Sequence, residues 1–188
     1  IELDPNSGFG TAKHVQLRIA DVPIFYFPWL RFPIDERRQS GFLFPSFGYS
    51  VTDGVSFSAP FYWNIKQNLD ATITPNYIQN EGEGVDLEIR HLSLYGETTY
   101  EQSTFDDNEE GEQTLLKLTS DQRFNKYFRI GATLEDNPTE DLYPEANTTS
   151  IGEKDHYERS AYISLDNGNF LNKVTYLTYQ TPDASEDK

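Results

Sequence analysis

Val55-Ser56-Phe57-Ser58-Ala59-Pro60-Phe61-Tyr62-Trp63-Asn64 is the stretch that decides what kind of chain this is. Val55, Phe57, Ala59, Phe61 and Trp63 fall on one phase of a two-residue period, and Ser56, Ser58, Tyr62 and Asn64 on the other. Successive side chains of a strand point to opposite sides, so this reads as a strand with one apolar and one polar face. Just upstream, Leu43, Phe47, Tyr49 and Val51 repeat the pattern against Ser46, Gly48 and Ser50. Thr52-Asp53-Gly54 joins the two, Asp-Gly being a strong hairpin signal. Downstream, Leu69, Ala71, Ile73 and Tyr77 oppose Asp70, Thr72, Thr74 and Asn76, and Val85, Leu87 and Ile89 oppose Asp86, Glu88 and Arg90. Weaker strands are predicted around 94–103, 113–120, 127–134, 156–165 and 170–179. Between them the pattern predicts longer loops at 79–84, 105–112 and 135–154, the last two strongly acidic. Helical periodicity is almost missing, and no sequence repeat is present beyond the strand–turn grammar.

Towards the N-terminus, His14 to Ile19 alternates with its apolar phase at 15, 17 and 19. Val22 to Pro33 is apolar on both phases, with prolines at 23, 28 and 33. Each proline removes a ladder donor, so this segment predicts an edge strand or extended rim buried on both sides. Ile34-Asp35-Glu36-Arg37-Arg38-Gln39-Ser40-Gly41 is the sharpest change of composition, polar and charged, and marks a boundary.

The 188 residues suit one domain, or part of something larger. A formal charge of −16 disfavours a nucleic-acid partner. Without cysteine there is neither a disulfide framework nor a thiolate metal site. The 27 aromatic residues are too many for a disordered acidic chain. Methionine is absent even at position 1, which predicts a mature product or an excised piece. No apolar run approaches the ~18 residues of a spanning helix, a test that does not touch barrels, whose strands need only alternate.

Sites of chemistry are hard to find. Glu81-Gly82-Glu83 and Asp106 to Glu112 lack the ligand order of a calcium loop, and His14, His91 and His156 lie apart without metal spacing. Gly8-Phe9-Gly10 lacks the third glycine and the helix of a dinucleotide fingerprint. No nucleophile elbow or Ser–His constellation is visible, so no enzyme, cofactor or metal is expected.

Two architectures share this grammar. A soluble sandwich, for instance an acidic glycan-binding one, would bury the apolar phase between two sheets. An outer-membrane barrel would turn it to lipid and leave the polar phase in a wet lumen. Mid-strand charges (Asp70, Asp86, Glu88, Arg90) and aromatics at strand ends (Tyr49, Phe61, Trp63, Tyr77) fit the barrel, while the abundance of soluble antiparallel proteins favours the sandwich. The residues alone leave both open.

Residues 22–78 resemble the LptD family of lipopolysaccharide-assembly outer-membrane proteins. Four ordered blocks carry the resemblance: Val22 to Leu30, Arg37 to Pro45, Pro60 to Ile65 and Asn68 to Pro75. Residues 1–21 fit the end of the family's periplasmic jelly roll more loosely, through Gly10-Thr11-Ala12 and the strand holding Arg18. The resemblance implies an all-β chain: the end of a periplasmic β jelly roll followed by the first antiparallel strands of a transmembrane β-barrel of about 26 strands. Residues 1–33 would be the last jelly-roll strands, 34–40 a hinge, and 41–188 the first eight or nine barrel strands, unable to close alone.

It further implies transport without covalent chemistry. Lipopolysaccharide would arrive from a periplasmic LptA-like bridge, pass a barrel holding an LptE-like lipoprotein plug, and leave sideways into the outer leaflet of a Gram-negative outer membrane. Pro45 and Pro60 match the gate prolines of the family's first two strands; Pro75, without that match, reads as a bulge. Phe25, Tyr26, Phe27, Trp29 and Leu30 are candidates to line the acyl-chain path, against ordinary packing at a domain junction. Arg37 and Arg38 are candidates for lipid phosphate, against pairing with Asp35 and Glu36. Family members also carry inter-domain disulfides, for which this chain supplies no cysteine.

Overall fold

The computed structural model describes residues 1–6, 8–19, 22–34, 38–108, 111–137 and 156–180. Every element among them is a strand, and every pairing is antiparallel. The first sheet has three strands in sequence order: β1 (Glu2–Asp4), β2 (Phe9–Ile19) and β3 (Val22–Pro33). β3 pairs only with β2 among the described residues, as its prolines require of an edge strand. Burial on both sides does not hold: Tyr26 and Trp29, on opposite phases of β3, are 51% and 57% exposed.

The second sheet runs β4 (Gly41–Phe42), β5 (Ser46–Ser50), β6 (Gly54–Ser58), β7 (Phe61–Lys66), β8 (Leu69–Ile78) and β9 (Gly82–Leu92). It continues through β10 (Gly96–Asp107), β11 (Gly111–Arg123), β12 (Phe128–Asp136), β13 (Tyr157–Asp166) and β14 (Leu171–Gln180). β4 with β5, and β6 with β7, are single strands interrupted part-way, so nine strands lie side by side in chain order. The strand holding β4 and β5 forms one open edge and β14 the other, so the sheet does not close among the described residues. Up-and-down neighbours of this kind are what a barrel uses to remove its edges, and here the removal is incomplete.

The register sorts the side chains. Phe47 faces Phe57, Phe57 faces Tyr77, Phe61 faces Ile73, Ile73 faces Leu87 and Ile89 faces Tyr100. Followed onward, the same face carries Leu116, Leu118, Ile130, Leu134, Ile163, Val174 and Tyr176. This apolar face stays open: Val85 is 48%, Ile163 53% and Val174 75% exposed, and no second sheet covers it among the described residues. The opposite face carries Asp70, Thr72, Asp86, Glu88, Arg90, Glu101, Lys117, Asp121 and Arg129. A soluble sandwich buries its apolar phase against a second sheet; this sheet leaves that phase uncovered, as a barrel wall does.

Three further expectations need correction. Leu43 does not share the face of Phe47. Phe42 pairs with Phe61 at a ring separation of 5.1 Å, so the strand gains one residue across 43–45 and its phase shifts there. The acidic stretch 105–112 is not a long loop, because β10 runs to Asp107 and β11 starts at Gly111; likewise β9 already begins at Gly82. Charged residues at a strand tip are as solvated as in a loop, so composition does not separate the two. Pro75 is not a bulge: β8 keeps one register through it, pairing Pro75 with Val85 without a shift.

From Thr98 onward the apolar face has a polar interruption that the spacing of strands did not reveal. Tyr100 donates to Gln102 at 2.9 Å, Gln102 donates to Thr104 at 3.2 Å, and Thr98 and Ser120 share a hydrogen bond of 2.9 Å. These groups satisfy one another along the strand, which lowers the cost of carrying them on an apolar surface.

Candidate functional site

The first two strands of the large sheet are broken at the same level. Residues 43–45 interrupt one and residues 59–60 the other, so Pro45 and Pro60 each end a gap. Val55 accepts from Gln79 N–H at 2.9 Å and Ala59 N–H donates to the Pro75 carbonyl at 3.2 Å, so odd positions of this strand bond towards β8. Even positions therefore bond towards β5, and Pro60 accepts from Leu43 N–H at 2.8 Å. In an antiparallel pair the N–H and C=O of one residue point the same way. The donor missing from Pro60 thus belongs opposite Leu43. By the same alternation Ser46 faces Ser58, and Pro45 turns to the open edge. One proline weakens the pair between the first two strands; the other removes a donor from the row a further strand would use.

On the polar face Ser46 and Ser58 share a 2.6 Å hydrogen bond beside the gap. Ser46, Ser58, Pro60, Thr72, Thr74, Asp86, Glu88 and Glu101 line a concavity there. Ser103 Oγ donates to Asp86, and Asn76 donates to it at 2.6 Å, so a carboxylate only 9% exposed is held in place. Lys117 and Glu101, directly opposite each other, pair at 3.3 Å. Among the described residues no group of three or more His, Cys, Asp or Glu is arranged to hold a metal ion.

Arg38 lies just before the first interrupted strand. Its guanidinium pairs with Asp70 and donates to Tyr62 Oη and to the Gln67 carbonyl, each at 3.0 Å. Arg37, Asp35 and Glu36 lie outside the described residues. So do the side chains of Phe25, Phe27 and Leu30, whose backbone belongs to β3. Tyr26 hydrogen-bonds His14 Nδ1 at 2.5 Å, and Trp29 sits opposite Lys13.

Three further arrangements leave little mark on the sequence. Tyr95, Phe124 and Phe128 form a run of rings 4.8 and 5.4 Å apart at the end of the sheet where Arg38 enters, on the side of the turns 67–68, 93–95 and 124–127. At the opposite end Ile78, Phe105 and Leu115 are buried with Tyr157. Further along, the Tyr162 ring lies over Gly131 and its hydroxyl donates to Asp121 at 2.7 Å, while Arg129 pairs with the same carboxylate. Only a glycine, in the right cross-strand position, could have signalled the last of these. A Cβ at position 131 would strike the Tyr162 ring, so Gly131→Ala is expected to destabilise the sheet by about 1–3 kcal/mol through overpacking. The midpoint of denaturant unfolding in micelles checks it, with Gly131→Ala/Tyr162→Ser expected to recover most of the loss.

Comparison with known proteins agrees with this geometry. The family described as LptD protein matches residues 11–167. The LPS-assembly protein LptD of Marinobacter nauticus is 36% identical over 199 residues, covering all of this chain, and that of Hahella chejuensis is 38% identical over 199 residues, covering 97%. The same-named protein of Chromohalobacter salexigens reaches 50% identity over 92 residues, 49% of the chain. The chain spans about a quarter of the length of the first two relatives (25% and 24%). Since the matched residues cover the interrupted strands and the two-faced sheet beyond them, the chain belongs to the LptD family.

Proposed function

We propose that this chain is the junction and first part of the barrel in an outer-membrane protein that delivers lipopolysaccharide to the outer leaflet. Residues 1–33 end the periplasmic jelly roll, 34–40 form the hinge, and 41–188 begin the barrel. The apolar face meets lipid and the polar face lines the lumen. Lipopolysaccharide comes from an LptA-like bridge, passes a lumen occupied by an LptE-like plug, and leaves through a seam beside the first strand. No bond is made or broken.

The observation that carries this reading is the pair of gaps at Pro45 and Pro60, side by side at an open edge of the nine-strand sheet. A seam that parts sideways needs weak pairing there and strong pairing elsewhere. Tyr26 and Trp29, exposed on β3, are available to acyl chains at the junction.

The test is depletion of the full-length parent in cells, with fractionation. The expected result is a detergent-extractable outer-membrane protein whose depletion leaves newly made lipopolysaccharide behind the outer leaflet. A soluble periplasmic parent, or unchanged surface lipopolysaccharide on depletion, would contradict the proposal and favour the glycan-binding reading.

A further inference from the structure

The approach to the first strand is tied down by side chains where backbone pairing is scarce. β4 pairs with β7 at only two positions, Gly41 with Tyr62 and Phe42 with Phe61. Just ahead of it, Arg38 uses Nε on Tyr62 Oη, Nη1 on the Gln67 carbonyl and Nη2 on Asp70. Tyr62 Oη donates onward to Asp70 at 3.0 Å, and Arg90 Nε donates to the other carboxylate oxygen at 2.9 Å. Asn64 completes the tie: its backbone N–H donates to Ser40 Oγ at 2.9 Å and its side-chain amide to the Arg38 carbonyl at 2.7 Å. Asp70 is 2% exposed, so its charge depends on these partners. One arginine thereby reaches β7, the 67–68 turn and β8 together, which the fork of a guanidinium can do and a point-charge ammonium cannot.

We propose that Arg38 is a positioning residue of the seam strand, holding residues 38–42 on β7 and β8 independently of residues 46–50. The strand is then docked as two halves with 43–45 as the hinge between them. The half after the hinge is held by its ladder to β6 and the Ser46–Ser58 hydrogen bond. The half before it has a two-residue ladder, the Leu43–Pro60 bond and the Arg38 tie. Arg38 offsets the donor that Pro60 withholds, so the weakness beside the prolines does not spread into the linker. This rests on the seam reading above and adds which half stays docked. All three guanidinium nitrogens are engaged by protein acceptors, which fits an anchor rather than a contact for incoming phosphate.

Two engineered cysteine pairs in the full-length parent test it, the parent's own cysteines being replaced. Phe42→Cys/Phe61→Cys reports the half before the hinge, and Phe47→Cys/Phe57→Cys the half after it. Rates of cross-linking are normalised to folded, heat-modifiable barrel, so a variant that assembles poorly is still read. Arg38→Ala is expected to slow the first cross-link about fivefold, as for loss of a half-exposed charged tie, and to leave the second unchanged. Arg38→Lys is expected to restore part of the rate. Equal rates for the first pair with and without Arg38 would overturn the proposal. So would a parallel fall of both pairs, which would make Arg38 a general fold residue. Surface lipopolysaccharide per folded barrel, read on the same Arg38 variants, separates the two ideas. Slower first-pair cross-linking with unchanged delivery supports the anchor and overturns the seam reading beneath it.

Discussion

Ile73→Arg or Ile89→Arg is expected to destabilise the full-length barrel by roughly 2–4 kcal/mol, while Thr72→Arg leaves it folded and inserted. Ile73 lies between Phe61 and Leu87 in the middle of three adjacent strands, and Ile89 between Ala71 and Tyr100. A guanidinium at Ile73, near the middle of β8 and flanked by apolar partners, enters the hydrocarbon with nothing opposite to pair with, whereas one at Ile89 lies nearer a strand end and beside Tyr100, so the larger loss is expected at Ile73. Thr72, one residue from Ile73, sits between Tyr62 and Glu88 on the polar face, where an arginine finds water and a carboxylate. Unfolding in micelles, together with the folded fraction in isolated membranes, measures both. Equal losses at Thr72 and Ile73 would mean that the faces are assigned wrongly.

Converting both gap prolines to alanine is expected to slow lipopolysaccharide delivery while sparing assembly. Alanine at position 60 returns a donor towards Leu43, and alanine at position 45 returns one to the open edge, where the barrel's last strand would lie. Each bond is worth ~0.5–1.5 kcal/mol net if its partner is present. Their sum, about 1–3 kcal/mol, would suppress a marginal opening by roughly 5- to 150-fold. Surface lipopolysaccharide per folded barrel should fall accordingly, with plug binding unchanged. Poor assembly with normal delivery per folded barrel would reduce the prolines to features of folding.

Much of this sheet was legible because a strand's period of two survives any environment. Val55 to Trp63, Leu69 to Tyr77 and Val85 to Ile89 show their faces in the sequence alone. Which face is wet was not legible, since alternation is the same whether the apolar phase meets a second sheet or a lipid tail. The resemblance to a family supplied that answer, and the uncovered apolar face of the sheet agrees with it. Leu43 was misplaced because a one-residue shift at a proline gap leaves no mark on composition. The acidic tip at 105–112 was mistaken for a loop because solvation, not backbone geometry, determines where charges are tolerated. The Arg38 tie was illegible for a different reason. Its partners at 62, 67 and 70 become neighbours only once a hairpin brings β7 and β8 under the linker.

A barrel wall made of this sheet turns the phase holding Leu69, Ala71, Ile73, Pro75 and Tyr77 to lipid and the phase holding Asp70, Thr72, Thr74 and Asn76 to water. This chain has no cysteine, so single cysteines placed along residues 71–77, with cysteines elsewhere in the parent replaced, can each carry a spin label in the membrane without touching the Asp70 tie. Accessibility to dissolved oxygen is expected to peak at the odd positions and accessibility to a water-soluble nickel reagent at the even ones, in strict alternation. Alternation with the opposite phase, or none at all, would contradict it.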